Sequence, residues 1–210
     1  MQTQNARIDD AIFFTLRETQ LLDRWGDYGS VLCNGISLSG KICQPLHLGR
    51  TGPFVPPISF PLSSNSVVVT DEVKKQLEAS SLGGVGEFHR VVLDKVVFIP
   101  WVDWDWQNDL KDSYLPFNGE PDEYILHGPH SPSATQKMDV LWTWHPEQIG
   151  KVLRSKNLIR LEGLSSTADV FRLADEWWTR IFVNKRGMSI VENIARDWVT
   201  FEAVAAEIPG

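Results

Sequence analysis

Hydrophobic positions along the chain fall into a few patterned blocks. Residues 11 to 16 (AIFFTL) are aromatic and branched and predict a short strand. Residues 67 to 69 (VVV) have the unbroken apolar character of a buried strand. Thr70 follows in an N-cap position, with Asp71 and Glu72 suited to the positive end of a helix dipole. Val73, Gln76, Leu77 and Ser80 then set a helical face, and the run from Leu82 to Gly86 (LGGVG) predicts its stop. A returning strand is expected over residues 88 to 98. The logic recurs near the C-terminus: a strand at 181 to 183 (IFV), Asn184 as cap, helical spacing of Met188, Val191, Ile194 and Ala195, and a strand at 198 to 201 (WVTF). Another helix is predicted from Ser166 to Trp178, where Ser166 and Asp169 resemble a capping box. Its apolar face would hold Val170, Leu173, Ala174, Trp177 and Trp178, continuing to Ile181.

The two strand–cap–helix–strand blocks align. Val67, Val69, Thr70, Leu77, Glu78, Phe88 and Val91 fall against Ile181, Val183, Asn184, Val191, Glu192, Phe201 and Val204, with one residue of slack in the turn. This suggests two copies of a β-α-β-like unit, at about 66–98 and 180–204. Between residues 25 and 65, six glycines and then Pro53, Pro56, Pro57 and Pro61 predict turns with at most short strands. Leu46, Leu48, Phe54, Ile58 and Phe60 make the region too apolar for a free linker. The expectation is a single α+β domain over 1–210 with a mixed sheet and a few helices. It has an irregular N-terminal subregion (1–65) and an α+β core (66–210).

Composition narrows the function classes. The chain has 210 residues, 42% of them hydrophobic and 22% charged, which is ordinary globular usage with room for a real core. Lys and Arg total 20 against 27 Asp and Glu, a net charge of −7, which disfavours direct binding of nucleic-acid backbones. The N-terminus has no secretory pattern, and the longest apolar stretch, 91 to 102, is interrupted by Asp94, Lys95 and Pro100. No membrane span is expected, and a soluble, cytoplasmic protein is. Two Cys are too few for a disulfide scaffold, so Cys33 and Cys43 are expected as thiols.

One segment changes the picture. Residues 101 to 123 (WVDWDWQNDLKDSYLPFNGEPDE) hold Asp103, Asp105, Asp109, Asp112, Glu120, Asp122 and Glu123 against Lys111 alone, a net −6 out of −7 for the chain. Trp101, Trp104, Trp106, Tyr114 and Phe117 are interleaved with them. Clustered carboxylates raise the local potential and speed encounter with a cationic partner, and indole and phenol rings supply rigid contact area. Trp101, Asp103, Trp104, Asp105, Trp106, Asp109, Asp112, Tyr114, Glu120, Asp122 and Glu123 are therefore the candidate partner-binding residues. The competing reading is a solvated loop whose rings fold back into the core. A second function class is a carboxylate-based, glycosidase-like hydrolase using acids from 103 to 123, which needs two carboxyls at a fixed separation across a sugar cleft. An EF-hand-type calcium loop is disfavoured, because 103 to 112 lacks the mid-loop glycine.

Other constellations carry little. Cys33, Cys43 and His47, with His127 and His130, could make a zinc site only if the fold gathered them. Buried apolar thiols are the simpler reading. No G-x-S-x-G elbow occurs, and Gly83-Gly84-Val85-Gly86 follows a helix instead of opening one. No catalytic residue, metal or cofactor is assigned.

The layout resembles immunity proteins of bacterial polymorphic toxin systems, in particular the double-CXXCG motif group. The residues that carry it are Phe13-Phe14-Thr15-Leu16, then Leu32-Cys33-Asn34-Gly35 and Gly40-Lys41-Ile42-Cys43, the prolines from Pro53 to Pro61, the stretch from Val67 to Leu77 with Gly83 to Phe88, and Ile181 through Phe201. The paired Cys-x-x-Cys motifs of that group are absent here, with one Cys at each position, which implies loss of any metal they hold. The resemblance implies a cytoplasmic inhibitor whose partner is a cognate toxin domain, with basic deaminases and nucleases among the activities such partners carry. It leaves the toxin and the oligomeric state open.

Overall fold

A computed structural model describes residues 12–39, 44–114, 120–149, 151–155, 158–162, 168–173 and 180–207. For residues 12, 151–155, 158–162 and 205–207 it describes the backbone alone. In chain order, β1 covers Ile12–Glu18, α1 Asp27–Asn34, β2 Ile36–Ser37, β3 His47–Gly52 and β4 Ile58–Ser59. Then come β5 (Val67–Thr70), α2 (Asp71–Ala79), β6 (Glu87–Arg90) and β7 (Val92–Phe98). Two 3-10 turns, Trp101–Asp103 and Asp112–Tyr114, lead to α3 (Glu123–Leu126), α4 (Pro132–Gln136) and β8 (Leu141–His145). The chain continues through β9 (Lys151–Ser155), β10 (Leu158–Glu162), β11 (Val170–Phe171), β12 (Phe182–Val183), α5 (Lys185–Ala195) and β13 (Val199–Glu207). The fold is α+β, and its described strands form three sheets, ordered β11-β12-β1-β13-β10-β9, β2-β3-β7 and β4-β5-β8-β6.

The sheet orders reveal a repeat. β5 and β6 both run antiparallel to β8, which lies between them, and α2 makes the crossover. β12 and β13 likewise flank β1, with α5 as the crossover. β4 edges the first unit beside β5, as β11 edges the second beside β12. The registers match row by row. Trp144 faces both Val67 and Phe88. Leu16 faces Phe201, and its N–H donates to the Ile181 carbonyl at 2.9 Å. Val69 lies between Ile58 and Trp142, and Val183 between Val170 and Phe14. Residues 67, 69 and 88 thus occupy the places of 181, 183 and 201, the correspondence read from the sequence.

Both crossover helices start as their cap residues predict. The Thr70 hydroxyl accepts from the Val73 N–H, and Asn184 Oδ1 accepts from the Gly187 N–H. α2 and α5 pack against each other, and Val69, Leu77, Val183 and Val191 share one core with Leu16 and Trp144. A buried carboxylate joins the units. Asp169, 4% exposed, accepts from the Gly83 N–H at 2.9 Å, from Asn184 Nδ2 at 3.0 Å and from Arg186. Gly84 has φ +86°, and a Cβ there would lie 2.2 Å from the Val170 carbonyl oxygen. The glycine-rich loop therefore serves the joint between units, while α2 already ends at Ser80, whose N–H bonds the Leu77 carbonyl.

Several expectations change. The strand foreseen over 88–98 is two strands in different sheets, parted by the buried Val91. Val91 N–H bonds Leu141 O while Val92 N–H bonds Leu46 O, so the chain turns a corner there. The helix foreseen from Ser166 to Trp178 is overruled where it can be seen, because Val170–Phe171 pairs with Phe182–Val183 as a strand. Edge pairing outweighs a helical apolar period. Residues 166, 167 and 174–178, together with Ala11, Cys43 and Phe117, lie outside the described residues. The described residues 12–39 and 44–65 are more regular than their glycines and prolines suggest, holding α1 and the six-residue β3. Gly29 sits inside α1 because a Cβ there would lie 2.4 Å from the Leu22 carbonyl oxygen. Among the described residues no helix is long and apolar enough to cross a membrane.

Two excursions leave the repeat. One follows β1 to β4 and carries α1, β2 and β3. The other links β6 to β8 and carries β7, the two 3-10 turns, α3 and α4. They meet where β3 pairs in parallel with β7, and they share a second core built from Leu22, Trp25, Val31, Val97, Trp101 and Ile125 among others. The last carbonyls of α1 are met from β3: Thr51 Oγ1 donates to Leu32 O at 3.0 Å and Arg50 Nη2 to Cys33 O at 3.1 Å.

Candidate functional site

The acidic, aromatic segment forms a ridge on this excursion layer, and its two residue types separate. Asp103, Asp105, Asp109 and Asp112 are exposed. Trp101 is 1% exposed and belongs to the core. Its ring meets Phe54 edge-on at 5.3 Å and Trp198 at 6.2 Å, so it ties the ridge to the end of α5. Trp101 is therefore corrected from a contact residue to an anchor, since a buried indole offers a partner no surface.

Trp104, Trp106 and Tyr114 are half-buried, and both indoles pack on the second core. Trp104 stacks on Tyr114 with centroids 4.5 Å apart and planes 10° from parallel, which closes the ridge on itself. Trp25 leans on Trp104 at 6.1 Å and donates from Nε1 to the Asn108 carbonyl at 2.7 Å. Tyr124, buried in α3, donates its hydroxyl to the Tyr114 carbonyl at 2.8 Å. Desolvation raises the Tyr124 phenol above its ordinary range, so it stays a neutral donor. The rings thus fix the backbone that displays the carboxylates.

The charges are only partly compensated. Arg24 Nε bonds Asp109 Oδ1 at 2.8 Å, with both side chains largely exposed, and Asn108 Nδ2 donates to Asp105 Oδ2 at 2.6 Å. Lys111 lies 5.7 Å from the centre of the Tyr114 ring. Glu120 is exposed, and Asp122 and Glu123 are half-buried near α3. Two cavities flank α1. One, of about 360 Å³, is lined by Glu18, Asp23, Asp27 and Cys33 among others. The second, of about 450 Å³, takes in Glu120 and Asp122, again with Asp27. The structure therefore divides the candidate acids: Asp103 to Asp112 stand on the ridge, while Glu120 and Asp122 edge a cavity. Asp27 and Arg24 were missed by sequence reasoning. The spacing of Leu22, Trp25, Tyr28 and Leu32 is the helical signal that could have placed them.

The metal candidates are dispersed. Among the described residues no group of three His, Cys, Asp or Glu side chains could hold an ion. His47 Nδ1 bonds Asp94 at 2.9 Å, and His130 Nδ1 accepts from the Val96 N–H at 3.1 Å. Cys33 is 2% exposed in the second core, and burial pushes its thiol up to about 12. A sugar-cleaving site would need paired carboxyls facing across a cleft. The cavity that Glu120 and Asp122 reach has an aliphatic floor of Val31, Ile36 and Leu62. No protein-family model, curated protein or solved structure matches the chain. The resemblance to immunity proteins therefore stands on the quoted residues alone.

Proposed function

We propose that this chain is a non-catalytic immunity protein that neutralises a cognate toxin domain by laying its acidic ridge into a basic substrate cleft. The observation that supports this reading is the sorting of the 101–114 segment: exposed carboxylates at Asp103, Asp105, Asp109 and Asp112 on a backbone held by the rings of Trp101, Trp104 and Tyr114. A rigid display costs little conformational entropy on binding, and exposed acids that Arg24 only partly compensates accelerate encounter with a positive surface. Domains that act on nucleic acids or nucleotides present positive clefts of that kind. The inhibitor acts in the compartment where the toxin acts, which for this reading is the cytoplasm.

The test is protection. Cells producing the toxin domain encoded beside this chain are co-supplied with the wild-type protein or with Asp105→Lys/Asp109→Lys. Wild type is expected to preserve growth and the double variant to lose protection while accumulating to the same level. Equal protection would remove the ridge from the mechanism.

A further inference from the structure

The cavity of about 450 Å³ beside α1 differs from the ridge in having an aliphatic floor under an acidic rim. Val31, Ile36 and Leu62 form its floor, and Val31 and Ile36 are fully buried. Its walls include Leu38 and Leu126, two of the few large apolar side chains that remain exposed, at 39% and 43%. Its rim is acidic, set by Asp27, Glu120 and Asp122, and among the described residues no Lys, Arg or His lines it. Elsewhere acids are commonly paired, as in Asp71–Lys75, Glu202–Arg17 and Asp169–Arg186. The three rim carboxylates have no cationic partner among the described residues.

The geometry points to a docking pocket for an arginine or lysine side chain of the partner protein. The aliphatic stem enters between Leu38 and Leu126, and the cationic head stays at the rim among Asp27, Glu120 and Asp122. Such side chains bury their methylenes on apolar surface and keep their charge wet, which is the pattern this cavity complements. A neutral apolar plug would leave the acids unanswered, and an anionic one would be repelled. The pocket adjoins the ridge through α3: Leu126 closes the helix in which Tyr124 bonds the Tyr114 carbonyl. This inference rests on the reading of the protein as a binder of a basic partner, and it adds an anchor to the ridge's long-range attraction.

The test needs no toxin. The chain with labelled methyl groups is titrated with n-hexylguanidinium, and separately with methylguanidinium and n-hexyl sulfate, following the Leu38 and Leu126 resonances by NMR. Hexylguanidinium is expected to shift both methyl sets saturably. Methylguanidinium, lacking the stem, binds at least tenfold more weakly, and hexyl sulfate leaves them in place. Glu120→Gln/Asp122→Asn is expected to weaken hexylguanidinium by roughly three- to tenfold, the scale of two exposed charge contacts. Glu72→Gln/Glu78→Gln on α2, which lines neither the pocket nor the ridge, serves as the control and changes nothing. Equal response to hexyl sulfate, or undiminished binding in the Gln/Asn variant, overturns the pocket. A failed pocket with protection still lost in the ridge variant leaves the inhibitor reading intact. A working pocket with unaltered protection overturns that reading instead.

Discussion

Within the two β-α-β units, equivalent positions have equivalent surroundings. Val69 and Val183 are both fully buried, as are Leu77 and Val191, and each helix opens on a side-chain cap that bonds the N–H three residues on. The excursion layer repeats nothing. There the sheet has a parallel pair, β3 beside β7, the helices other than α1 span at most five residues, and aromatic pairs replace aliphatic rows. The difference separates scaffold from display. The units are specified by regular pairing and shared burial, whereas the layer is free to carry charge because those units hold its ends. Binding features commonly sit on such connections over a rigid frame.

The sharpest way to break this comparison is at the foot of the ridge. Trp101→Ala removes a fully buried indole and should cost about 4 kcal/mol in urea unfolding. Hydrogen exchange should show the loss first at residues 101–114. A cost under about 1 kcal/mol would mean that the ring is not an anchor. Next is the joint between the units. Asp169→Ala strands the N–H of Gly83 and the head of Arg186 and should cost about 3 kcal/mol. Because α2 and α5 share a core, their amides should lose protection together. Independent loss would show two separate units instead of one.

A third prediction distinguishes the units by pH. Burial, reinforced by Arg172 and His89, holds the His145 imidazole down to about 4 from 6.5. The unfolded chain takes up a proton near pH 6.5 and the folded one does not. The contribution is therefore complete above that pH and is lost as pH falls from 6.5 toward 4. Discounted for partial exposure, it amounts to about 1–2 kcal/mol. The equivalent place in the second unit is held by Arg17, a guanidinium where the first unit has an imidazole. His145→Gln should flatten the stability profile between those limits, and an unchanged slope would refute the assignment. Smallest is the cap pair. Thr70→Ala should cost about 1 kcal/mol, and Asn184→Ala about 1 kcal/mol more, because Asn184 also donates to the buried Asp169.

The repeat was legible in the sequence because its determinants are local: an apolar triplet, a capping residue, a helical face and a returning strand. Matching Val67 and Phe88 to Ile181 and Phe201 anticipated the strand register itself. That β8 and β1 fill the middle of each unit was not legible, since these partners lie far along the chain. Helix α1 was hidden by Gly26 and Gly29, the latter required by the approach of Leu22. The apolar spacing around Val170 suggested a helix, but pairing with β12 decided otherwise. In the ridge, the sequence revealed the charge cluster but could not say which rings turn inward, because Trp101, Trp104 and Trp106 differ only in their distant neighbours. The pocket between α1 and α3 was invisible for the same reason, its walls coming from segments nearly 90 residues apart, Leu38 to Leu126.

Electrostatic docking through the ridge should show in the association kinetics. The purified chain and the proposed partner, a candidate toxin domain from the neighbouring reading frame, are mixed in stopped flow across ionic strength, for wild type and for Asp105→Lys/Asp109→Lys. The account predicts a wild-type rate constant that falls steeply with salt and a variant slower by about tenfold at low salt. The two curves should converge near 1 M, where screening shortens to about 3 Å. A rate constant indifferent to salt and identical in both proteins would contradict it.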